Sequence, residues 1–327
     1  MLKNVQNYIS KCKSSVSEGK KISKSEATEL FNIDDEFIEN LVEASNFITR
    51  HFHGSKVDIE ELANIKKNFC SEDCAYCAQS SFFNTKIDDF QLPPPNQIVK
   101  QALIAKKEGA NSFCLVAAWR EPSQNDFEKV CEIINEINKK VKISVECSLG
   151  FLTAKKAKKL KELGVKRYNH NLETSRSKFS EICSTHTYQD RIETLKIARK
   201  AGLELCTGGI IGLGETRKQR EELVFEIAEF NPEEVTINML IPMPGTPLEL
   251  QTPLEITEIL RVFSTLRFLL PNSIIKISGG RELHLEDDGK KLLLGGANGI
   301  ISAGYLTMAG NPIQKDIQMI KEINLEA

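Results

Sequence analysis

The sequence predicts an α/β protein, a (β/α)₈ TIM-type barrel with an N-terminal helical extension. Three observations lead there. Apolar runs of strand length alternate with helix-like amphipathic segments over about 270 residues, and that alternation marks a parallel sheet with crossover helices. The strand runs are nearly continuously apolar, as strands covered on both faces must be. At 327 residues the chain has room for one barrel of roughly 250 residues plus extensions, and no low-complexity linker or tandem repeat divides it. An open, doubly wound sheet is the structural alternative.

Taken in order, residues 1–52 read as the helical extension. Segments 23–31 and 34–52 carry apolar residues at helical spacing, including Phe37, Ile38, Leu41, Val42, Ala44, Phe47 and Ile48. Residues 53–312 are assigned to the barrel. Its strands fall near 57–65, 112–119, 142–149, 167–174, 203–212, 235–243, 274–279 and 299–304, and its helices near 97–107, 126–140, 154–163, 188–200, 216–230, 256–270 and 289–294. Residues 313–327 hold a last helix, over 315–323.

Hydrophobic residues make up 41% of the chain, ample for a core, and the formal net charge is −2. Such a balance gives no general field for nucleic acid or anionic lipid. The basic run through Lys155, Lys156, Lys158 and Lys159 reads as the solvated face of a helix. No apolar stretch reaches 18 residues, and the N-terminus lacks a signal-peptide core. The expectation is a cytoplasmic protein with neither a nucleic-acid nor a membrane partner. In that reducing compartment nine cysteines argue for metal binding or catalysis over disulfides.

Cys70, Cys74 and Cys77 stand in C-x₃-C-x₂-C order, which brings three thiolates within reach of one metal centre. An iron–sulfur cube normally takes four cysteines, so a cube here would leave one iron open to a small molecule. A three-cysteine zinc site with a distant fourth ligand, or unrelated core thiols, are the other readings. Barrel enzymes place their chemistry where strands end, and further reactive residues fall there. Cys114, Cys147 and Cys206 lie in the second, third and fifth strands, separated by 33 and 59 residues, close to one and two βα units of about 30 residues. They are read as a second metal site converging inside the barrel, against three small core residues. Asn169, Asn171 and Glu173 share one face of the fourth strand, which is costly unless that face is a polar interior. Asn238 and Lys276 sit at comparable heights in their strands, and Arg191 opens a helix at a place suited to a carboxylate. His170 has the opposite parity and reads as structural. The glycine-rich turn Gly208-Gly209-Ile210-Ile211-Gly212-Leu213-Gly214-Glu215-Thr216 is a weak phosphate signal, and close backbone approach explains it better.

Taken together, Cys70-Ser71-Glu72-Asp73-Cys74-Ala75-Tyr76-Cys77-Ala78-Gln79-Ser80, Ala117-Ala118-Trp119-Arg120, Tyr168-Asn169-His170-Asn171-Leu172-Glu173-Thr174-Ser175, the glycine-rich turn, Asn238-Met239-Leu240 and Ser278-Gly279-Gly280-Arg281-Glu282 resemble the biotin synthase family of radical S-adenosylmethionine enzymes. The resemblance runs from about Lys24 to the C-terminal region. It implies a homodimeric barrel, a sulfurtransferase that converts dethiobiotin to biotin, supplied with electrons by a donor such as flavodoxin or ferredoxin. It implies that Cys70, Cys74 and Cys77 hold a [4Fe–4S] cluster whose open iron is chelated by S-adenosylmethionine, which is cleaved to a 5′-deoxyadenosyl radical. It further implies an auxiliary, sulfur-donating cluster, [2Fe–2S] or a variant, at Cys114, Cys147, Cys206 and Lys276. Carried over by position, Tyr76, Ala117, Asn171, Glu173, Arg191, Ile210 and Ile241 line the S-adenosylmethionine site. Asn171 and Asn238 contact the ureido ring of dethiobiotin, whose donors and acceptors an asparagine amide matches, and Thr307 helps hold the substrate carboxylate.

The chain also departs from the family. Lys276 stands where an arginine is usual, Glu173 replaces an aspartate, and Met308-Ala309 stands where a second threonine is common. Lysine is a flexible point charge without a planar fork. The expectation is therefore that Lys276 does not ligate iron and that the auxiliary cluster is altered, with Cys183 a conceivable extra ligand. Cys131, beside Ile134 on a helix, reads as core, and Cys12 as incidental. A hydrogenase-cofactor maturase on the same barrel is the rival within the superfamily; a non-catalytic iron–sulfur or zinc protein is the rival outside it.

Overall fold

Strand and crossover helix alternate through the structure, a computed structural model that describes residues 2–305, 308 and 310–327. The strands are β1 (Asp58–Lys66), β2 (Ser112–Ala117), β3 (Ser144–Ser148), β4 (Arg167–Asn169), β5 (Glu204–Cys206), β6 (Gly209–Ile211), β7 (Glu234–Met239), β8 (Ile274–Ile277) and β9 (Gly299–Ser302). All pair in parallel, in the order β5-β4-β3-β2-β1-β9-β8-β7-β6, and a β5–β7 pairing closes the ring. The barrel has eight staves because β5 and β6 are two halves of one, both bonded to β7. At the break the backbone passes so close to β7 that only glycine fits: a Cβ on Gly208 would lie 1.9 Å from the carbonyl oxygen of Thr236. Beyond β4 the chain leaves regular pairing, and Glu173, at φ 69°, bridges across to Gly209. The single strands expected at 167–174 and 203–212 are therefore both interrupted beside the site.

The helices are α1 (Leu2–Ser17), α2 (Lys24–Phe31), α3 (Ile38–His53), α4 (Pro95–Glu108), α5 (Gln124–Lys140), α6 (Ala154–Glu162), α7 (Arg176–Ile182), α8 (Tyr188–Lys200), α9 (Arg217–Glu229), α10 (Ile256–Leu269), α11 (Arg281–His284), α12 (Lys290–Leu293) and α13 (Ile313–Glu322). Several start where their sequence says. Thr187 and Asp190 form a capping box on α8, and Thr216 and Gln219 form one on α9, satisfying backbone donors that a helix start leaves free. Strand residues of outward parity, such as Leu115, Val145, Ile237 and Ile275, are fully or nearly fully buried against this helical ring.

The N-terminal helices pack on α10. Ser45 Oγ donates to Ser264 Oγ at 3.2 Å, and the fully buried Arg261 guanidinium donates to the carbonyls of Phe31 and Ile33 at 2.7 and 2.8 Å. The C-terminus is tied in by Arg281, whose fork holds Asp316 of α13 at 2.7 and 3.0 Å, a bidentate pairing suited to guanidinium. Among the described residues no helix is long and apolar enough to cross a membrane.

Candidate active site

Inside the barrel, side-chain alternation and strand register decide what faces what. A cavity of about 360 Å³ opens at the C-terminal ends of the strands, and Cys114, Cys206, Thr236, Asn169 and Leu62 form its deep end. Cys206 Sγ lies 3.1 Å from Thr236 Oγ1, and the Asn169 amide donates to Cys114 Sγ at 3.5 Å.

Immediately beneath is a dry plug of charge. Lys276, wholly buried, places its Nζ 2.6 Å from Glu60, 2.7 Å from Glu234 and 3.0 Å from Asp58. Arg167 Nη1 reaches both Glu146 and Glu234 at 2.6 Å, and its Nη2 reaches Glu204 at 2.9 Å. Gly299 leaves room for this: a Cβ there would meet Lys276 Cγ at 2.7 Å. Lys276 thus serves as a threefold ion-paired ammonium. A metal ligand needs a free amine lone pair, and Lys276 offers none in this arrangement.

Cys147 does not join Cys114 and Cys206. Glu146 and Ser148 occupy the inward positions of β3, so Cys147 points outward, fully buried in the core against which Cys131 of α5 packs. The expected convergence of three thiols fails on parity: Cys114 is in register with Glu146, one residue before Cys147. Cys183, in the loop after the fourth strand, lies at the mouth beside the first cysteine trio and not beside Cys114 and Cys206, with its Sγ 3.8 Å from Cys74 Sγ and 3.2 Å from His186 Nδ1. Cys12 is buried on the inner face of α1.

The mouth is built on the loop that follows β1. Asn68 and Phe69 take left-handed conformations, at φ 66° and 53°, turning the chain back over the barrel. Cys70 pairs with Ser80 across this loop, its N–H donating to the Gln79 carbonyl at 2.8 Å, and Cys77 N–H closes a tight turn onto the Cys74 carbonyl at 2.8 Å. Cys70, Cys74 and Cys77 all line the cavity. Burial pushes the Cys77 thiol up to about 12 and raises Cys70 as well, so these sulfurs ionise readily only when a cation accompanies them. Three convergent soft donors of this kind fit an iron–sulfur cluster with one iron left open.

Sequence reasoning missed the clamp that holds this loop. Asp73 Oδ1 accepts from the N–H groups of Ser184 and Thr185 at 2.9 and 3.1 Å, and Glu72 accepts from Thr185 Oγ1 at 2.8 Å. Glu72 also pairs with His186 Nδ1, whose Nε2 accepts from Arg191 Nε at 3.1 Å. Arg191 Nη1 in turn donates to the Asn171 carbonyl at 2.9 Å and to Glu173 at 3.2 Å. Two acidic residues inside a metal-binding loop were the available signal. Tyr76, Ala117, Asn171, Glu173, Arg191, Ile210, Ile241 and Asn238 line the same cavity as the three cysteines. Asn238 is oriented by Gly279 N–H, which donates to its Oδ1 at 3.0 Å. His170, expected to be structural, is buried beside Phe151 and Tyr168, yet also touches the cavity, and burial holds its pKa well below the usual histidine value. Thr307 lies outside the described residues.

The model of the Radical SAM superfamily matches residues 64–227, and that of the Biotin and Thiamin Synthesis associated domain matches residues 236–326. A biotin synthase of Nitrosopumilus maritimus is 64% identical over 98% of this chain and 98% of its own length. One of Clostridium tetani is 42% identical over 98% and 99%. The chain belongs to the biotin synthase family. Among solved structures, methylornithine synthase superposes with a TM-score of 0.85 at 18% identity, covering 96% of both chains. The FeFe-hydrogenase maturase of Carboxydothermus hydrogenoformans superposes at 0.82 and 18%, covering 99% of this chain and 80% of its own. At that identity these likenesses bear on the fold alone, so the maturase reading gains only the shared barrel.

Proposed function

We infer that the chain catalyses the conversion of dethiobiotin to biotin, using S-adenosylmethionine, a [4Fe–4S] cluster and an auxiliary iron–sulfur cluster. The observation that carries this reading is one cavity walled by both the cysteine trio and the polar residues Asn171, Glu173, Arg191 and Asn238, in a chain of this family. Cys70, Cys74 and Cys77 would hold the [4Fe–4S] cluster. With S-adenosylmethionine bound, that cluster supplies a 5′-deoxyadenosyl radical able to abstract hydrogen from unactivated carbon.

The chain's own part is to bind, orient and keep dry. Arg191, braced by His186, Glu173 and the Asn171 carbonyl, sets a fixed positive charge at the mouth for the carboxylate of S-adenosylmethionine. Tyr76, Ala117, Ile210 and Ile241 supply the apolar walls of that site, and Glu173 accepts hydrogen bonds from the ribose. Asn171 and Asn238 offer paired donors and acceptors to the ureido ring of dethiobiotin, and Thr307 its hydroxyl to the substrate carboxylate. Val116, Met239 and Leu240 complete an apolar lining that keeps water from a reactive intermediate. The predicted trio of Cys114, Cys147 and Cys206 does not fit the auxiliary cluster, because Cys147 faces away, and no step is assigned through it.

We further place the protein in the cytoplasm, as a homodimer, drawing electrons from flavodoxin or ferredoxin. Residues 1–52 act as a helical extension, 53–312 as the catalytic barrel and 313–327 as a closing helix. An anaerobic assay with dithionite, S-adenosylmethionine and dethiobiotin tests the function: biotin and 5′-deoxyadenosine should form together. 5′-Deoxyadenosine without biotin points to another radical chemistry, and neither product, with zinc alone bound, overturns the reading.

A further inference from the structure

We propose that the Cys183 thiol donates a hydrogen bond to the ligating sulfur of Cys74 and thereby raises the reduction potential of the [4Fe–4S] cluster at the mouth. The proposal rests on the functional reading above, which puts that cluster on Cys70, Cys74 and Cys77. At Cys70 and Cys77 burial works against the thiolate, and backbone N–H groups of the same loop work for it, Glu72 at the first and Gln79 and Ser80 at the second. Cys74 instead has a side-chain partner from a distant loop. Cys183 ends α7, 109 residues further on, and places its Sγ 3.8 Å from Cys74 Sγ. Cys74 lines the cavity, whereas Cys183 is buried behind it and does not. That is the place of a group acting on a ligand, not on substrate.

The neighbours of Cys183 leave its proton one open acceptor. His186 Nε2 accepts from Arg191, so the ring hydrogen is on Nδ1, where it is given to Glu72. Neither nitrogen is then free, which also argues against a separate metal site on Cys74, Cys183 and His186, although their ligand atoms lie within 4.8 Å of one another. Asp73 Oδ1, 3.2 Å from Cys183 Sγ, already accepts from the N–H groups of Ser184 and Thr185, which fills its two lone pairs. Thr185 Oγ1, at 3.4 Å, accepts from the Asp73 N–H. In the metal-free chain the sulfur–sulfur hydrogen bond runs from Cys74 to Cys183 and holds the Cys183 thiol down to about 4. Iron takes Cys74 as thiolate. A second thiolate would then face both that sulfur and the Asp73 carboxylate, and like charges this close retain a proton between them. The clamp fixes both ends of the bond, since Asp73 adjoins Cys74 and grips Ser184 and Thr185 beside Cys183. Hydrogen bonds to cluster sulfurs set the potential, because they stabilise the charge added on reduction.

The test is a redox titration of the full-length protein, reconstituted anaerobically with iron and sulfide and followed by electron paramagnetic resonance. The signal tracked is the one that changes when S-adenosylmethionine is added. Cys183→Ala should keep the iron and sulfide content of the native chain and lower the midpoint by about 59 mV, a tenfold change in the one-electron equilibrium. Cys183→Ser, whose hydroxyl can still donate, should fall between the two. An unchanged or raised midpoint in Cys183→Ala overturns the proposal. So does loss of iron and sulfide in that variant, which would make Cys183 a ligand or a structural support. If Cys183→Ala does not fold, Cys183→Val, which also lacks a donor, takes its place and is judged by the same results. A native chain with no signal responsive to S-adenosylmethionine overturns the functional reading and this proposal with it. A responsive signal whose midpoint is indifferent to Cys183 overturns this proposal alone.

Discussion

The mouth and the floor of the barrel solve opposite problems with similar residues. At the mouth, charges are spread along a chain of partners, Glu72 to His186 to Arg191 to Glu173, and the three cysteines look into an open cavity. At the floor, three wholly buried glutamates surround Lys276 and Arg167, and one oxygen of each glutamate has no hydrogen-bond partner among the described residues. The mouth is a device for binding, with its geometry set by hydrogen bonds to loops. The floor is a device for holding charge where water cannot help, so removing one member leaves others uncompensated.

The sharpest way to break the comparison is Cys74→Ala. It should drive 5′-deoxyadenosine formation to background while leaving the floor and the fold intact, so circular dichroism should be unchanged; retained cleavage of S-adenosylmethionine would separate the trio from the chemistry. Next, Lys276→Met should lower the stability of the metal-free protein by about 3–5 kcal/mol, since it strands Glu60 and Glu234 in the dry interior. Denaturant titration reads this directly, and a loss well under that range would mean the floor charges are not coupled. At the mouth, His186→Ala should raise KM for S-adenosylmethionine by about 10–100-fold with a smaller change in kcat, because it frees Arg191 from its brace. An effect on kcat alone would argue against a positioning role.

The smallest effect belongs to a carboxylate outside both regions. Burial, with help from Glu108, raises Glu61 on β1 to about 7. Between roughly the ordinary carboxylate value of 4.5 and about 7 the folded state holds a proton that the unfolded chain has released. Stability therefore falls as pH rises through that window. Glu61→Gln should flatten this part of the stability–pH curve, and an unchanged slope would show that the side chain is well solvated.

Much of the mouth was legible because its parts are close in sequence. The C-x₃-C-x₂-C spacing confines three sulfurs to one loop however the rest folds; Asn169, Asn171 and Glu173 do line the cavity, but β4 ends at Asn169 and His170 of the opposite parity lines it too, so strand alternation alone does not account for them. The floor was not legible. Glu60, Glu146, Arg167, Glu234 and Lys276 come from five strands, and none carries a local signal. Cys147 misled for the same reason: its distance along the chain suits convergence, but a one-residue change of parity turns it to the opposite face.

What this sequence determined alone was the alternation of strand and helix, the helix starts at Thr187 and Thr216, and the cysteine loop, since each depends on residues within a few positions of one another. The tertiary structure decided which thiols share a cavity, which acids share two buried cations, and where the fourth and fifth staves break. Those outcomes depend on register between strands far apart in the chain, and on atoms such as the Thr236 carbonyl above Gly208 that only closure of the barrel brings together.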